Sequence, residues 1–382
     1  MEIGGRTLTA TFTDLADQAN GSVLIKYGET VILATAVISK NAKEGGDYLP
    51  LTVDYEEKFY AAGRILGSRF QKREGRPSDE AILSGRIVDR TIRPLFDQSI
   101  RHEIQVVTTV LSIDAQNDPD TLGVIGASLA LGTSNIPWNG PVSAVRLGIA
   151  LNANASGAAK NEIDFGKIII NPSYAERENS ALDLLVCGKD GNINMIESEA
   201  KEVPEGIVSQ AMEMAIAEIE KIQAFQAAII KEMGKEKKVL AKRPVPEGMV
   251  ELFTTEVEPR LEAVVFSGPG NISINALCDE WVVLFKEKLL ARPKSNDEGG
   301  PEADSNEAFY YYEEKVNELI HQEALKNDRR PDGRQMNELR PIQAEAGGIS
   351  SIVHGVGIFS RGGTHILSVL TLSGPKDSQL IE

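Results

Sequence analysis

The chain has 382 residues, of which 42% are hydrophobic and 25% are charged. This is the composition of an ordinary folded protein of two or three domains, and it excludes disordered, collagen-like and low-complexity classes for the chain as a whole. The formal net charge of −16 opposes non-specific adhesion to nucleic acid or anionic membrane, so any site for a polyanion must be a local basic island.

The cysteines and the N-terminus bear on the compartment. Cys187 and Cys278 each lie in an apolar stretch, and two isolated thiols cannot staple a fold of this size. We therefore expect a reducing, cytoplasmic environment. No basic region followed by an apolar run opens the chain, and the stretch 122–132 is far too short to span a bilayer, so we expect neither a secretory signal nor membrane association.

In chain order, the first 200 residues alternate β-rich runs with helical patterns. We predict strands at 106–113, 167–171, 182–187 and 194–197, and helices at 78–93 and 122–131. A long helical pattern starts at Pro204, and two more, at 277–290 and 307–325, flank a polar loop. These elements predict a mixed α/β domain followed by a helical spacer.

An internal repeat relates the two ends of the chain. Shifted by 334 residues, the stretch 21–33 falls on the stretch 355–367, with glycines, a threonine and an apolar pair at the same places. Both stretches predict a strand, a glycine turn and a second strand. Glycine hairpins are common, so chance is the alternative to duplication. A true duplication sets residue 382 at position 48 of the first copy, which makes the sequence look like the front part of a longer protein.

A basic island lies at 64–101, where nine basic residues stand against five acidic ones. Within it, Ser78 followed by two acids predicts the start of a helix. Arg86, Arg90 and Arg93 follow at i, i+4 and i+7, on one face of that helix. Another face of the same helix carries three apolar residues: Leu83, Ile87 and Ile92.

Two interpretations of this island remain open. The guanidinium group suits phosphate, so three arginines on one face can follow a polynucleotide backbone. Phe70, just before Lys72 and Arg73, can offer a base a stacking surface. The alternative is a solvated arginine face that makes intramolecular ion pairs, with Asp89 available as a partner.

The common catalytic motifs are missing from the sequence, among them C-x-x-C, H-E-x-x-H, G-x-S-x-G and the P-loop. Asp118 and Asp120 could suggest a metal pair. However, Asn-Asp-Pro-Asp ahead of an apolar run is also an ordinary turn and helix cap, and we favour the cap.

Several motifs together resemble the polynucleotide phosphorylase family. They are Gly-Arg-Ile-Leu-Gly-Ser at 63–68, Arg-Glu-Gly-Arg-Pro-Ser at 73–78 and Asp-Arg-Thr-Ile-Arg-Pro-Leu-Phe at 89–96, with further matches at 126–128, 136–142 and 330–334. The resemblance runs along essentially the whole chain and implies an α/β (α+β) fold. It implies a first RNase PH-like domain of mixed sheets packed with helices (1–235), an all-helical domain (236–327) and the opening strands of a second RNase PH-like domain (328–382).

The same resemblance implies a function. The family degrades single-stranded RNA by processive, reversible 3′-to-5′ phosphorolysis and releases nucleoside diphosphates, with Mg²⁺ as cofactor and inorganic phosphate as co-substrate. Its members form a trimeric ring and normally continue into the rest of the second copy and into KH and S1 modules. For the complete protein we therefore expect RNA as substrate, a homotrimer and, as further partners, components of RNA-degradation complexes.

The resemblance also implies that this first copy is degenerate. The family's phosphate loop corresponds here to 118–120, where carboxylates would repel phosphate. The two Asp and the Lys of the active copy align with Arg177, Asp183 and Leu185, so only one of the three is kept. We expect no catalytic residue and no metal ligand in this chain, and the catalytic residues are expected beyond Glu382.

What the resemblance carries over to this chain is RNA guidance. The family's channel loop has two adjacent Phe and two Arg, whereas 69–73 here is one residue longer and has one Phe. The implied RNA-binding residues are Phe70, Lys72, Arg73, Arg86, Arg90 and Arg93. The alternative function is a non-catalytic RNA-binding ring or scaffold component with the same fold.

Overall fold

The computed structural model describes residues 1–43, 48–65, 75–151, 165–240, 245–246, 248–268, 272–290 and 305–377. The elements in these ranges fall into two compact units, Met1–Lys242 and Arg243–Glu382. The strands are β1 (Glu2–Ile3), β2 (Arg6–Thr11), β3 (Gly21–Tyr27), β4 (Thr30–Ala42), β5 (Leu51–Glu57), β6 (His102–Ser112), β7 (Ser143–Leu151), β8 (Phe165–Ile170), β9 (Ser180–Lys189), β10 (Asn192–Ala200), β11 (Ile342–Ala346), β12 (Gly355–Arg361) and β13 (Thr364–Leu370). The helices are α1 (Asp79–Ile92), α2 (Pro119–Thr133), α3 (Tyr174–Glu178), α4 (Glu205–Met233), α5 (Met249–Glu256), α6 (Glu258–Val265), α7 (Ile272–Phe285) and α8 (Ser305–Asn327).

The first unit contains two mixed or antiparallel sheets. The larger has the strand order β1-β2-β3-β4-β6-β5, in which only the β5–β6 pair is parallel. The smaller has the order β10-β9-β7-β8 and is antiparallel throughout. Every strand and helix predicted for the first 200 residues is present, with ends that differ by a few residues. The predicted boundaries at 235/236 and 327/328 stay predictions.

Helix α2 forms the centre of this unit. All its residues except Asp120 are buried, because it contacts β3 and β4 of the larger sheet and β7 of the smaller one. One face of the smaller sheet, with Leu185 and Cys187, joins this core. The other face, with Leu147 and Leu184, packs against α4. A strand buried on both faces reads as a continuous apolar run, which is why β7 and β9 show little alternation.

The predicted repeat is present as two hairpins of equal register. In the first, Gly21 pairs with Ala36 across β3 and β4, and in the second, Gly355 pairs with Leu370 across β12 and β13. The preceding strands repeat the register as well, since β2–β3 and β11–β12 pair at positions that differ by the same 334 residues. Both turns place a glycine at positive φ, 61° in the first and 59° in the second, where other residues are strained.

In the second unit, α5 to α8 share an apolar core of their own. Phe253 meets Trp281 edge to face at 5.1 Å between ring centroids, and the Trp281 indole donates a 2.7 Å hydrogen bond to the Ala308 carbonyl. Cys278 belongs to this core, and both cysteines are free and buried. Within the described ranges, no helix has the length and apolarity that a bilayer crossing requires.

Candidate active site and nucleic-acid interface

A cluster of buried and half-buried charges lies at the N-terminus of α2. Asp118 is the N-cap of that helix, and its carboxylate accepts a 3.0 Å hydrogen bond from the Asp120 backbone N–H. The predicted turn and cap is therefore confirmed. Pro119 follows at the first helical position, where no N–H is needed.

Two arginines contact these carboxylates, one from the smaller sheet and one from the short helix α3. Arg146 on β7 contacts Asp118 through Nε, lies 3.3 Å from Asp120 and lies 2.6 Å from Asp183 on β9. Arg177 on α3 lies 2.8 Å from Asp183 and 3.5 Å from Asp118. We call these five residues the arginine–aspartate cluster.

Local structure explains how the cluster is assembled. Strands β7 and β9 pair with Gly148 opposite Asp183, so Arg146 and Asp183 are diagonal neighbours on the same face of the sheet. The short helix that carries Arg177 starts at a capping box, in which Ser173 and Glu176 satisfy each other's backbone N–H groups. The strand pairing thus positions Arg146 and Asp183, and the capped helix α3 positions Arg177.

Arg146 is buried, the other four residues are half-buried, and the cluster carries one more negative than positive charge. Arg146 is only 8% exposed, so its positive charge depends on the surrounding carboxylates. Burial, and then the neighbouring Asp118, raise the pKa of Asp120 to about 7. Burial together with the two carboxylates of α2 also raises the pKa of Tyr55 well above its usual value, and its hydroxyl has no hydrogen-bond partner in the described structure.

Little space remains beside the cluster. The adjoining cavity, whose lining includes Arg6, Asn117 and Arg146, has a volume of about 10 Å³. That is room for roughly one water molecule, not for a phosphate ion. The carboxylates predicted to repel phosphate are also paired with Arg146 and Arg177, so both arginines of the cluster are already engaged.

The cluster does not fit Mg²⁺ either. Both oxygens of Asp183 are engaged by guanidinium groups, and a second cation would have to displace Arg146 or Arg177. Leu185, at the position aligned with the family's lysine, is fully buried in the apolar core. In the described ranges, no group of three His, Cys, Asp or Glu side chains is arranged to hold a metal ion.

The predicted helix of the basic island is α1, and it begins as expected. Ser78 is its N-cap and accepts a 3.0 Å hydrogen bond from the Ala81 N–H, with Asp79 and Glu80 in the first turn. The two acidic side chains lie at the N-terminal end of α1, where the helix dipole is positive and favours negative charge.

The three arginines of this helix differ in their surroundings. Arg86 and Arg90 are exposed and make no hydrogen bond or ion pair in the part of the chain that the structure describes. Arg93 is half-buried, with its guanidinium 2.6 Å from Asp89 and 3.0 Å from the Leu51 carbonyl oxygen. The intramolecular pairing weighed for this island therefore occurs at Arg93.

Two apolar residues of α1 lie outside the core. Ile87 and Ile92 are buried, whereas Leu83 is 61% exposed and its neighbour Ile82 is 50% exposed. The exposed face of α1 therefore combines two aliphatic side chains with Arg86 and Arg90. Phe70, Lys72 and Arg73, which were predicted to extend this surface, lie outside the described residues.

Comparisons with known proteins agree with this architecture. Residues 4–137 match domain 1 of the 3′ exoribonuclease family, and residues 140–218 match its domain 2. Together the two matches cover more than half of the chain, which therefore belongs to this family. The predicted fold class, RNase PH-like sheets packed with helices, is confirmed.

The particular relatives are polyribonucleotide nucleotidyltransferases, also called polynucleotide phosphorylases. The chain is 39% identical over its whole length to those of Caldicellulosiruptor saccharolyticus, Staphylococcus epidermidis and Thermus thermophilus. It covers 51% of each of them, so it spans about half the length of the curated relatives it matches. Among solved structures, rice (Oryza sativa) Rrp46 matches with 15% identity and a TM-score of 0.46, over 59% of this chain and 95% of that one.

Proposed function

We propose that this chain guides RNA in an enzyme that degrades single-stranded RNA by processive 3′-to-5′ phosphorolysis and releases nucleoside diphosphates. Membership of the 3′ exoribonuclease family supports the substrate class. The name shared by the relatives, polyribonucleotide nucleotidyltransferase, supports transfer of a nucleotidyl group, and we propose inorganic phosphate as its acceptor. The proposal includes a cytoplasmic homotrimer as the working form and components of RNA-degradation complexes as partners.

The observation that carries the guiding role is the pair Arg86 and Arg90, which are exposed one helical turn apart and whose guanidinium groups have no partner among the described residues. In a chain of net charge −16, unpaired arginines on one face form a local attraction for a polyanion. We propose that RNA phosphates contact these two residues, that Phe70, Lys72 and Arg73 extend the contact, and that Arg93 supports α1 through Asp89.

The first domain is proposed to take no part in the chemistry. Phosphorolysis needs donors for two anions and a metal that offsets charge at the scissile phosphate. The arginine–aspartate cluster supports this proposal, since both of its arginines are paired with its carboxylates and the adjoining cavity has room for about one water molecule. The catalytic residues, with Mg²⁺ and phosphate, are proposed to lie beyond Glu382.

The test follows nucleoside diphosphate release from a single-stranded RNA in the presence of Mg²⁺ and phosphate. The 382-residue chain is expected to bind the RNA and to release no diphosphate above background. A chimera that joins it to the remaining half of the Thermus thermophilus relative is expected to be active. Release by the chain alone would contradict the silent first domain. An assembled chimera that binds RNA but stays inactive would favour the non-catalytic scaffold.

A further inference from the structure

The carboxylate of Asp118 lies in a cradle of donors that come from three different elements. Nε of Arg146 on β7 contacts it, Nη1 of Arg177 on α3 lies 3.5 Å away, and the Asp120 N–H at the start of α2 donates to it at 3.0 Å. The side chain of Asp118 is only 9% exposed. Asp118 is thus an anion held by two guanidinium groups and a helix N-terminus.

Such a donor set is the one that proteins use for oxyanions. Backbone N–H groups at a helix N-terminus and planar guanidinium groups both favour phosphate and sulfate. The fit of Asp118 to this set is incomplete, because the buried Nε–H of Arg146 makes no hydrogen bond of good geometry within the described ranges, although it contacts the carboxylate. A tetrahedral anion presents oxygens in more directions than a tethered carboxylate does.

We propose that the Asp118 carboxylate is a built-in anion that occupies a latent site for a small tetrahedral oxyanion, inorganic phosphate or sulfate. This goes beyond the proposed function, which requires that the cluster exclude phosphate but does not say which group excludes it. One side chain, and not the loss of the cationic donors, excludes phosphate from the first domain.

Charge and space both support this assignment. The cluster has two arginines and three aspartates, so removal of the Asp118 carboxylate changes its formal charge from −1 to 0. The vacated volume joins the neighbouring cavity, which Arg6 and Thr121 also line.

The variant that tests the proposal is Asp118→Ser. Serine is a good N-cap, so α2 keeps its capping oxygen while the carboxylate is lost. Thermal unfolding is followed with inorganic phosphate, with sulfate and with chloride at equal ionic strength. We expect phosphate and sulfate at about five times their Kd to raise the Tm of the variant by roughly 2–4 °C more than that of the unsubstituted chain. Sulfate, which stays a dianion, separates anion binding from titration of phosphate.

Two further variants separate a specific site from a general salt effect. Asp118→Asn keeps a side chain of the same size in the cradle and is expected to respond like the unsubstituted chain. Adding Arg177→Gln to Asp118→Ser removes one donor and is expected to weaken phosphate binding about tenfold or more. If folded Asp118→Ser responds to phosphate no more than the unsubstituted chain does, the proposal is wrong. The result is independent of RNA binding and of diphosphate release, so its failure leaves the proposed function untouched.

Discussion

Nη1 of Arg146 lies 2.6 Å from Oδ1 of Asp183, across the paired strands β7 and β9 in the interior of the first unit. The resemblance to polynucleotide phosphorylases aligns Asp183 with an acidic residue of the active copy. In this chain, however, the Asp183 carboxylate forms an ion pair with the Arg146 guanidinium group. The same contact supports the buried cluster and closes the position to a metal ion.

Replacing Arg146 with Met is expected to lower the free energy of unfolding by about 3–5 kcal/mol. The reason is that three aspartates would then share Arg177 as their only cation in the cluster, and removing one partner of a buried ion pair leaves uncompensated charge. Urea unfolding measures the effect. Asp183→Asn in the Arg146→Met background should recover part of the loss, and strictly additive losses would argue against the coupling.

Asp120 makes the stability of the protein depend on pH. Its pKa is raised in the folded state, so the stabilisation from its protonated form is complete below the unfolded value near 4 and is lost as the pH rises through about 7. Asp120→Asn cannot ionise. Its free energy of unfolding relative to the unsubstituted chain should therefore rise from pH 4 to pH 7, by at most about 1.4 kcal/mol per pH unit. Exposed Asp17→Asn serves as the control, and a difference as flat as the control's would contradict the raised pKa.

Arg93 and Arg90 should differ in how much each contributes to the free energy of unfolding. Arg93→Ala loses the ion pair with Asp89 and the bond to the Leu51 carbonyl, so we expect a loss of about 1 kcal/mol in unfolding free energy. Arg90→Ala removes an exposed, unpaired side chain and should change that free energy by less than about 0.5 kcal/mol. Equal losses in both variants, measured by urea unfolding, would mean that Arg93 has no special structural role.

Much of the fold could be predicted from local patterns. The internal repeat predicted both hairpins and the 334-residue offset between them. It could do so because a glycine turn between two apolar runs specifies a hairpin almost by itself. Ser78 and Asp118 could be recognised as helix caps for the same reason, since a cap depends on neighbours in sequence.

The rest depended on tertiary structure. Arg146 was missed, although one arginine in the apolar run of β7 and one aspartate in that of β9 are each too costly to bury alone. That signal predicts a buried pair, but it becomes specific only when the two strands are known to be neighbours. Leu83 was grouped with the apolar residues of α1, yet helical spacing does not say which apolar positions a neighbouring element covers.

The guiding role of α1 is tested most directly by the salt dependence of RNA affinity. A fluorescently labelled single-stranded RNA is titrated with the 382-residue chain over a range of salt concentrations. Arg86→Gln/Arg90→Gln is compared with Lys167→Gln/Lys231→Gln, which removes two exposed positive charges from β8 and α4 instead.

If Arg86 and Arg90 each contact one RNA phosphate, the double variant binds RNA more weakly at low salt. Its plot of log K against log salt concentration should be less steep by about 1.4, since each lost phosphate contact contributes roughly 0.7 for single strands. The lysine control should keep the slope of the unsubstituted chain. A folded Arg86→Gln/Arg90→Gln variant with unchanged affinity and slope would contradict the assignment of RNA guidance to this helix.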